Sequence, residues 1–297
     1  MDRLDAMRLF TRVVERRSFT LAAQDMDTPR STVTQVIQQL ESRLGARLLL
    51  RTTRVVSPTL DGEAYYRRCL AILADVENAE GAFTGAKPGG VLRVDVQGTL
   101  ARHFLLPRLP AFLAEYPDIE LQMSETERWI DIVREGVDCV LRYGHLPDSE
   151  LIARRVTMLD RLTCASPAYL ARHGAPASPD DLAGHRMIGL RSLTTGDLRP
   201  LEFQADGAVR FVPVAATVSV TGTESFRATA LLGLGLFQAP RFHVAADLAA
   251  GTLVEVLADW PPPSAPVSLL YPPTRQLSPR VRAFIDWAAG CFAASGG

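Results

Sequence analysis

The sequence has few of the features that mark secreted, disulfide-bonded or membrane-embedded proteins. Its 297 residues include only four cysteines, which are far apart and form no CxxC pair. This spacing predicts a reducing compartment and no disulfide framework, and it leaves both buried thiols and a thiol redox sensor open. No apolar run is long enough to span a membrane, and the charged N-terminus lacks the pattern of a secretory signal. We therefore expect a cytoplasmic protein.

Catalytic and metal-binding patterns are also missing. The five histidines are scattered without metal-ligand spacing, and there is no P-loop, HExxH or GxSxG motif. No pair of carboxylates stands out as an acid–base couple. We expect no metal, no cofactor and no enzymatic activity.

Net charge is close to zero over the whole chain, but the charge is unevenly distributed. Residues 1–60 hold ten arginines and six acidic residues, a net charge of +4. The remaining residues hold 22 basic and 27 acidic residues, a net charge of −5. A basic segment joined to an acidic body is typical of a protein that binds a polyanion through one end only.

The segment from Ser18 to Leu44 predicts two short helices joined by a tight turn. Ser18 is an N-cap residue for the first helix, and Thr28-Pro29 predicts the start of the second. Apolar residues recur along the second helix at helical spacing: Val33, Val36, Ile37, Leu40 and Leu44. The opposite face carries hydrogen-bonding groups and no carboxylate: Arg30, Ser31, Thr34, Gln35 and Gln38. Such a face suits the major groove of DNA, and the alternative is an ordinary solvated face.

Further elements flank this helix pair. Residues 3–15 predict a helix before it, and Gly45 is a helix-stopping residue after it. Two short β-capable runs then surround residues 51–54, which favours a winged helix-turn-helix. In that arrangement the wing would carry Arg51, Thr53 and Arg54 toward phosphates or an adjacent minor groove.

These motifs, in this order, resemble the DNA-binding domain of LysR-type transcriptional regulators. The matching stretches are LDAMRLFTRVVERRSF, SFTLAA and LESRLGARLLLRTTRVVSPTLDG. Two positions depart from the family pattern. Asp27 stands where a turn glycine is usual, and residues 29–34 replace the usual start of the recognition helix. The resemblance implies a DNA-binding transcriptional regulator, but the family's base preference does not carry over.

Residues 61–83 predict a long helix with an apolar seam of period 3.5, as in coiled coils. The seam residues are Tyr65, Cys69, Ile72, Val76, Ala79 and Phe83. The seam must be buried, either against another long helix or against the chain's own body. The resemblance favours the first alternative, because the linker helix of this family dimerises. A homodimer or homotetramer would place two recognition helices one DNA turn, or a multiple, apart.

Beyond a linker at residues 84–90, strands and helices alternate, which predicts a mostly parallel α/β sheet. The stretches SPAYLARHG and GLGLFQAP resemble the family's effector-binding domain, which has two lobes and a hinge like type 2 periplasmic-binding proteins. The predicted fold class is therefore α + α/β. We expect a winged helix-turn-helix domain at 1–60, a linker helix and hinge at 61–90 and an effector domain at 91–297. Lobe one would cover about 91–162 and 267–294, and lobe two about 163–266.

A motif that occurs twice in the sequence indicates where an effector would bind. Residues 94–99 and 218–223 share V-x-V-x-G-T, a strand that leads into a helix. Ligands gather beyond the carboxyl ends of strands in open α/β sheets, and free N–H groups at a helix start suit an anion. The alternative is two ordinary capped helices. The candidate effector contacts are Gly98, Thr99, Arg142, Gly144, Thr223, Phe237 and Gln238.

For two of these residues, Arg142 and Thr223, the role in binding an anion has an alternative. Arg142 could pair with a ligand carboxylate or with a nearby acidic residue. Glu224, beside Thr223, would repel an anion. The choice of an anionic effector therefore depends chiefly on Thr99 and on the pairing of the two motifs.

The sequence therefore predicts a DNA-binding transcriptional regulator controlled by a small anionic metabolite between two lobes. Its expected partners are double-stranded DNA, the effector, further copies of itself and, if it is an activator, RNA polymerase. The alternative is an α/β solute-binding or enzymatic protein whose N-terminal helices only oligomerise. A signal peptide or a catalytic cluster would favour that alternative, and the sequence has neither.

Overall fold

The computed structural model describes residues 2–51, 56–84, 87–193, 195–205, 207–273 and 277–294. They form a small helical head, a long helix and a body of two α/β lobes. Within these ranges no helix is both long and apolar enough to cross a lipid bilayer.

The head is built on three helices, α1 (Arg3–Arg16), α2 (Phe19–Asp25) and α3 (Arg30–Leu44). A reciprocal capping box between Asp2 and Asp5 begins α1. The hydroxyl of Ser18 accepts a hydrogen bond from the backbone N–H of Leu21 at 3.3 Å, which confirms the predicted start of α2. The apolar faces of the three helices meet in one core, in which Phe10, Val33 and Ile37 have no exposed surface.

The start of α3 differs from the prediction. Thr28 does not cap the helix, and its hydroxyl donates to the carbonyl oxygen of Met26 at 2.9 Å. The N-cap residue is Pro29, which has no side-chain cap, so α3 begins at Arg30. Asp27, in the turn before it, has a φ of 45°. This left-handed conformation favours glycine, which explains why a turn glycine is usual at this position.

A two-stranded hairpin follows α3 and forms a wing, as predicted. Strand β1 (Leu49–Arg51) pairs antiparallel with β2 (Val56–Pro58). The carboxylate of Glu41 in α3 accepts the backbone N–H groups of Leu48 and Leu49, at 2.9 and 3.1 Å. These two bonds attach the base of the wing to α3.

Helix α4 (Leu60–Thr84) is the predicted long helix, and its first turns pack on the head of the same chain. Tyr65 contacts Phe10 with ring centroids 5.4 Å apart, and Cys69 is fully buried in the head core. Cys69 therefore does not face a partner helix, and for this residue the predicted dimer seam is wrong. The apolar period is the same for both kinds of packing, which is why the sequence did not separate them. Ile72, one turn later, is 39% exposed.

Lobe one is a five-stranded sheet with helices packed on it. Its strands are β3 (Gly90–Val96), β4 (Ile119–Glu125), β5 (Cys139–Tyr143), β6 (Ile152–Leu159) and β14 (Ala265–Tyr271). The strand order is β4-β3-β5-β14-β6. The first three strands are parallel, as predicted, whereas β14 runs antiparallel to both of its neighbours. The helices are α5 (Gly98–Leu100), continued by π and 3-10 turns to Arg108, α6 (Leu109–Glu115), α7 (Ile132–Glu135) and α11 (Pro279–Ala293).

Lobe two consists of smaller sheets. Its strands are β7 (Arg161–Ala165), β8 (Met187–Leu190), β9 (Leu201–Ala205), β10 (Ala208–Val212), β11 (Ala216–Val220), β12 (Phe237–Pro240) and β13 (Val254–Val256). They pair as β12-β7-β13, β11-β8 and β10-β9. Along the chain, three helices follow β7, β11 and β12, namely α8 (Pro167–His173), α9 (Thr223–Leu231) and α10 (Arg241–Ala250). A 3-10 turn at Pro179–Leu182 precedes β8.

The chain passes between the lobes twice, at Asp160 between β6 and β7 and again between β13 and β14. The two crossings are joined, since Ser264 donates to the carboxylate of Asp160 at 2.7 Å. The carbonyl oxygen of Asp160 also accepts the backbone N–H of Arg241, at the start of α10. Asp160 therefore bonds both to the second crossing and to the start of α10, at the junction of the two lobes.

Candidate functional site

Helix α3 presents the predicted polar face to solvent. Arg30, Ser31, Gln35 and Gln38 are exposed, while the apolar back of the helix is buried in the head. Thr34 is half-buried, and its hydroxyl donates to the carbonyl oxygen of Arg30 at 3.0 Å. The exposed amides and the guanidinium are the groups that hydrogen-bond base edges in a major groove.

Part of the positive charge of the head is neutralised internally. Asp25, at the end of α2, pairs with Arg12 at 2.7 Å and with Arg16 at 3.1 Å. On the wing, Arg51 lies in β1, but its side chain is outside the described part of the chain. Thr53 and Arg54 also lie outside the described residues. Their phosphate contacts stay predictions.

A second candidate site is a cavity of about 110 Å³ between the two lobes. It suits a small organic molecule rather than a polymer. Three of the predicted effector residues line it, namely Thr99, Thr223 and Gln238. The amide of Gln238 is already engaged, because it bonds both backbone groups of Glu202 and the hydroxyl of Thr163.

The other predicted effector residues are not among the described residues around this cavity. Phe237 is fully buried in the core of lobe two. Gly144 has a φ of 98° and lies at the turn after β5. Gly98 lies instead in a neighbouring groove beside Arg102 and Glu125.

Arg142 is buried behind the cavity rather than facing it. Its side chain is 4% exposed and pairs with Asp95, itself 1% exposed, at 2.5 Å. The guanidinium also donates to the carbonyl oxygens of Leu141 and Arg128. Of the two roles left open for Arg142, the structure supports pairing with an acidic residue of its own lobe.

A glutamate joins the two lobes at the edge of the cavity. The carboxylate of Glu127 accepts the hydroxyl of Thr223, the first residue of α9 in lobe two, at 2.9 Å. Its other oxygen accepts the side-chain amide of Gln97, in lobe one, at 3.1 Å. The amide oxygen of Gln97 in turn accepts the backbone N–H of Tyr143 at 2.7 Å. The protein's own carboxylate therefore bonds to the hydroxyl of Thr223, at one of the two helix starts that were predicted to take an anion.

Arg102 makes a second contact between the lobes. It donates to Glu125 in its own lobe at 3.0 Å and to Glu224 of lobe two at 3.1 Å. Burial raises the pKa of Glu224, but the charge of His243 and the hydrogen bond from Arg102 outweigh it and lower the pKa overall. These groups are 42–50% exposed, so each pair is worth about 0–1 kcal/mol. Contacts of this strength hold the lobes together reversibly.

Several cavity residues were missed by the sequence analysis. Gln97 and Tyr143 sit at strand ends, and the rule that placed Thr99 could have found both. Glu127, Arg161 and Arg199 also line the cavity. No local pattern marks these three, since each reaches the cavity through the tertiary fold.

The four cysteines are all buried, and they are thiols rather than halves of disulfides. Burial raises the pKa of Cys69 to about 11, and it also raises the pKa values of Cys139, Cys164 and Cys291. Thiols with raised pKa values stay protonated at neutral pH and react slowly. The structure therefore favours inert buried thiols over a redox sensor. Among the described residues, no group of three or more histidine, cysteine or acidic side chains could hold a metal ion.

Comparison with known families finds a match to each part of the chain. The family described as bacterial regulatory helix-turn-helix protein, lysR family, matches residues 4–63. The family described as LysR substrate binding domain matches residues 85–292. These two matches separate the head from the α/β body at α4.

Individual proteins are similar over nearly the whole chain. The HTH-type transcriptional regulator YhjC of Escherichia coli K12 is 40% identical over 294 residues, which cover 98% of each chain. An HTH-type transcriptional repressor of Pseudomonas aeruginosa is 38% identical over 297 residues, 99% of this chain and 93% of the repressor. The structure of CrgA, a LysR-type transcriptional regulator from Neisseria meningitidis, superimposes with a TM-score of 0.61 at 32% identity, covering 96% and 97% of the two chains.

Proposed function

The chain belongs to the LysR family of bacterial transcriptional regulators, and on this premise we propose that α3 reads DNA while a small anion between the lobes controls it. DNA binding and an effector-binding domain come with the family. The alternative of a solute-binding or enzymatic protein is not favoured by the family matches. The observation that carries the proposal is the exposed, carboxylate-free face of α3 beside a two-stranded wing. We assign the protein no enzymatic activity.

The domain boundaries and partners follow from the same proposal. We place the DNA-binding domain at 1–60, the linker at 61–90 and the effector domain at 91–297, with the lobe boundaries given above. We assign the later part of the seam, Ile72, Val76, Ala79 and Phe83, to contact with a second copy. The side chains of Ala79 and Phe83 are outside the described part. We place the protein in the cytoplasm, where the chromosome of a bacterium lies, with RNA polymerase as a partner if it activates.

The affinity of the full-length protein for duplex DNA is expected to fall steeply with salt. If six phosphates are contacted, the loss between 50 and 200 mM salt is about 10³-fold, because bound arginines release condensed counterions. The site is first selected from a random duplex pool, and binding is then titrated on that site and on a scrambled duplex. Salt-independent binding, or equal affinity for both duplexes, would contradict the proposal.

Substitutions on the head are expected to separate base contacts from phosphate contacts. Arg30→Ala or Gln35→Ala should cost about 1–3 kcal/mol on the selected site and much less on the scrambled duplex. Arg51→Ala or Arg54→Ala should weaken both duplexes alike and reduce the salt slope by about one unit. The matched control is Arg282→Ala, which removes an exposed arginine from α11 and should change neither affinity. If all four head variants lose the same amount of preference for the selected duplex over the scrambled one, base contacts and phosphate contacts are not divided between α3 and the wing.

A further inference from the structure

The two sides of the interlobe cavity differ in charge. On one side, the Glu127 carboxylate fills the position at the start of α9, with both oxygens accepting hydrogen bonds. A ligand carboxylate placed there would meet a negative charge at short range and would have to displace it. The anionic group of an effector therefore needs a position other than the start of α9.

Tyr143 provides an unused donor on the other side. Its hydroxyl oxygen is buried and has no hydrogen-bond partner among the described residues, and Tyr143 is one of the residues that line the cavity. Buried polar groups are almost always hydrogen-bonded, so an isolated hydroxyl points to an absent partner. Burial raises the pKa of Tyr143 to about 12, so the hydroxyl keeps its proton at neutral pH. The neutral hydroxyl can therefore donate a hydrogen bond to an acceptor such as a carboxylate oxygen.

Two guanidinium groups accompany that hydroxyl. Arg161 and Arg199 both line the cavity. The pKa of Tyr143, raised chiefly by burial, is lowered by the charges of these two arginines and raised by the charge of Glu202. Arg161 donates to Glu202 at 2.6 Å, which leaves most of its five N–H donors free. The guanidinium of Arg199 has no hydrogen bond or ion pair within the described part of the chain. A hydroxyl donor beside two guanidiniums matches a carboxylate.

Apolar side chains complete the cavity wall, namely Leu100, Leu190, Phe226 and Phe242. We propose that the effector is a small monocarboxylate with an apolar body, whose carboxylate binds Tyr143, Arg161 and Arg199 while Glu127 excludes a second negative charge. This inference rests on the proposed control by a small anion between the lobes. It adds where the anion binds and how many charges it carries.

The test is calorimetry on the full-length protein with ligands matched in size. The probes are hexanoate and benzoate, their amides hexanamide and benzamide, and the dicarboxylates adipate and terephthalate. At least one monocarboxylate is expected to bind, at least tenfold more tightly than its amide and its dicarboxylate. No binding by either monocarboxylate, or equal binding by the amides, overturns the inference.

Four variants locate the carboxylate. Tyr143→Phe and Arg199→Gln should each weaken monocarboxylate binding about tenfold or more, the usual effect of losing a hydrogen bond to a charged group. Tyr143→Phe should leave the melting temperature of the free protein unchanged or higher, because it removes a buried hydroxyl that has no partner. Glu127→Gln should admit the dicarboxylates. The matched control is Arg191→Gln, since this arginine lines the same cavity but donates to Ser219 and to the carbonyl of Gly196.

The outcomes separate this inference from the proposed function. If Thr99→Val or Thr223→Val abolishes monocarboxylate binding while Tyr143→Phe does not, the assigned position is wrong but control by an anion stands. If only neutral or cationic compounds bind, the anionic effector fails together with the inference. DNA binding by α3 is measured separately and survives either result.

Discussion

Replacing Asp95 with alanine is expected to destabilise lobe one by about 3–5 kcal/mol, the usual cost of removing one partner from a buried ion pair. Arg142 would then keep a positive charge in a site where its side chain is 4% exposed. Its remaining partners are neutral, the hydroxyl of Thr126 and nearby backbone carbonyl oxygens. Neutral acceptors do not replace the lost carboxylate. Urea unfolding of the effector domain, followed by tryptophan fluorescence, measures the effect.

Two further variants show whether burial is the cause. Asp286→Ala removes a carboxylate from the exposed pair of Arg154 and Asp286, whose side chains are 45% and 59% exposed, and should cost about 0–1 kcal/mol. Combining Asp95→Ala with Arg142→Met should recover much of the loss, since an apolar replacement leaves no buried charge. If Asp95→Ala costs no more than Asp286→Ala, the buried pair does not stabilise the lobe.

Replacing Gly62 with alanine is expected to destabilise the head by about 1–3 kcal/mol or more, the usual cost of overpacking. A Cβ at this position would lie 1.9 Å from the carbonyl oxygen of Leu48 and 2.9 Å from its carbon. Both are backbone atoms, and the same oxygen accepts the N–H of Thr59 at 2.9 Å. The base of the wing would therefore have to move away from α4. DNA affinity should fall with the stability, because the wing is displaced relative to α3.

Gly290→Ala is the matched control for this prediction. Gly290 is also within a helix, α11, but outside the neighbouring backbone of that helix no heavy atom of the described residues lies within 4 Å of an added Cβ. Alanine is the better helix former, so this substitution should stabilise the chain by up to about 1 kcal/mol. Thermal unfolding and hydrogen exchange of the head peptides distinguish the two variants. If both variants are as stable as the unsubstituted protein, the close approach of α4 to the wing does not constrain the head.

The helical head was predictable because its signals are local. Capping at Ser18 and the apolar spacing from Val33 to Leu40 depend on neighbours a few residues away. The predicted cap at Thr28 was wrong, because the helix begins one residue later and Pro29 stands at the N-cap. The hydroxyl of Thr28 donates instead to the carbonyl oxygen of Met26 in the preceding turn.

Local sequence patterns were not sufficient to predict which residues line the cavity. Successive side chains of a strand point to opposite faces, so a shift of one residue separates the cavity from the core. Arg142 was a candidate effector contact, with pairing to an acidic residue as the alternative. In the structure its neighbour Tyr143 lines the cavity, and Arg142 pairs with Asp95. Strand-end position identified the right part of β5, while the choice of face depended on how the lobes pack.

Along α4, long-range packing determines which surface covers each apolar residue, and the sequence left this open. Cys69 is buried and Ile72 is 39% exposed, so the 3.5-residue period does not identify which surface, if any, of this chain covers each seam residue. Tyr65 and Cys69 are covered by the head of their own chain. Glu127, Arg161 and Arg199 are a similar case, since they come from three separate regions of the chain and meet only in the folded protein.

The interior position of β14 in lobe one has a consequence for the order of events on the ribosome. Strand β6 pairs with β14, which is made much later, so lobe one stays incomplete until the C-terminal part has been synthesised. The head is finished far earlier, because its core needs nothing beyond Cys69. A nascent or truncated chain would therefore carry a folded DNA reader before it carries a complete effector site. Fragments ending before β14 would compete for operator sites without responding to the metabolite.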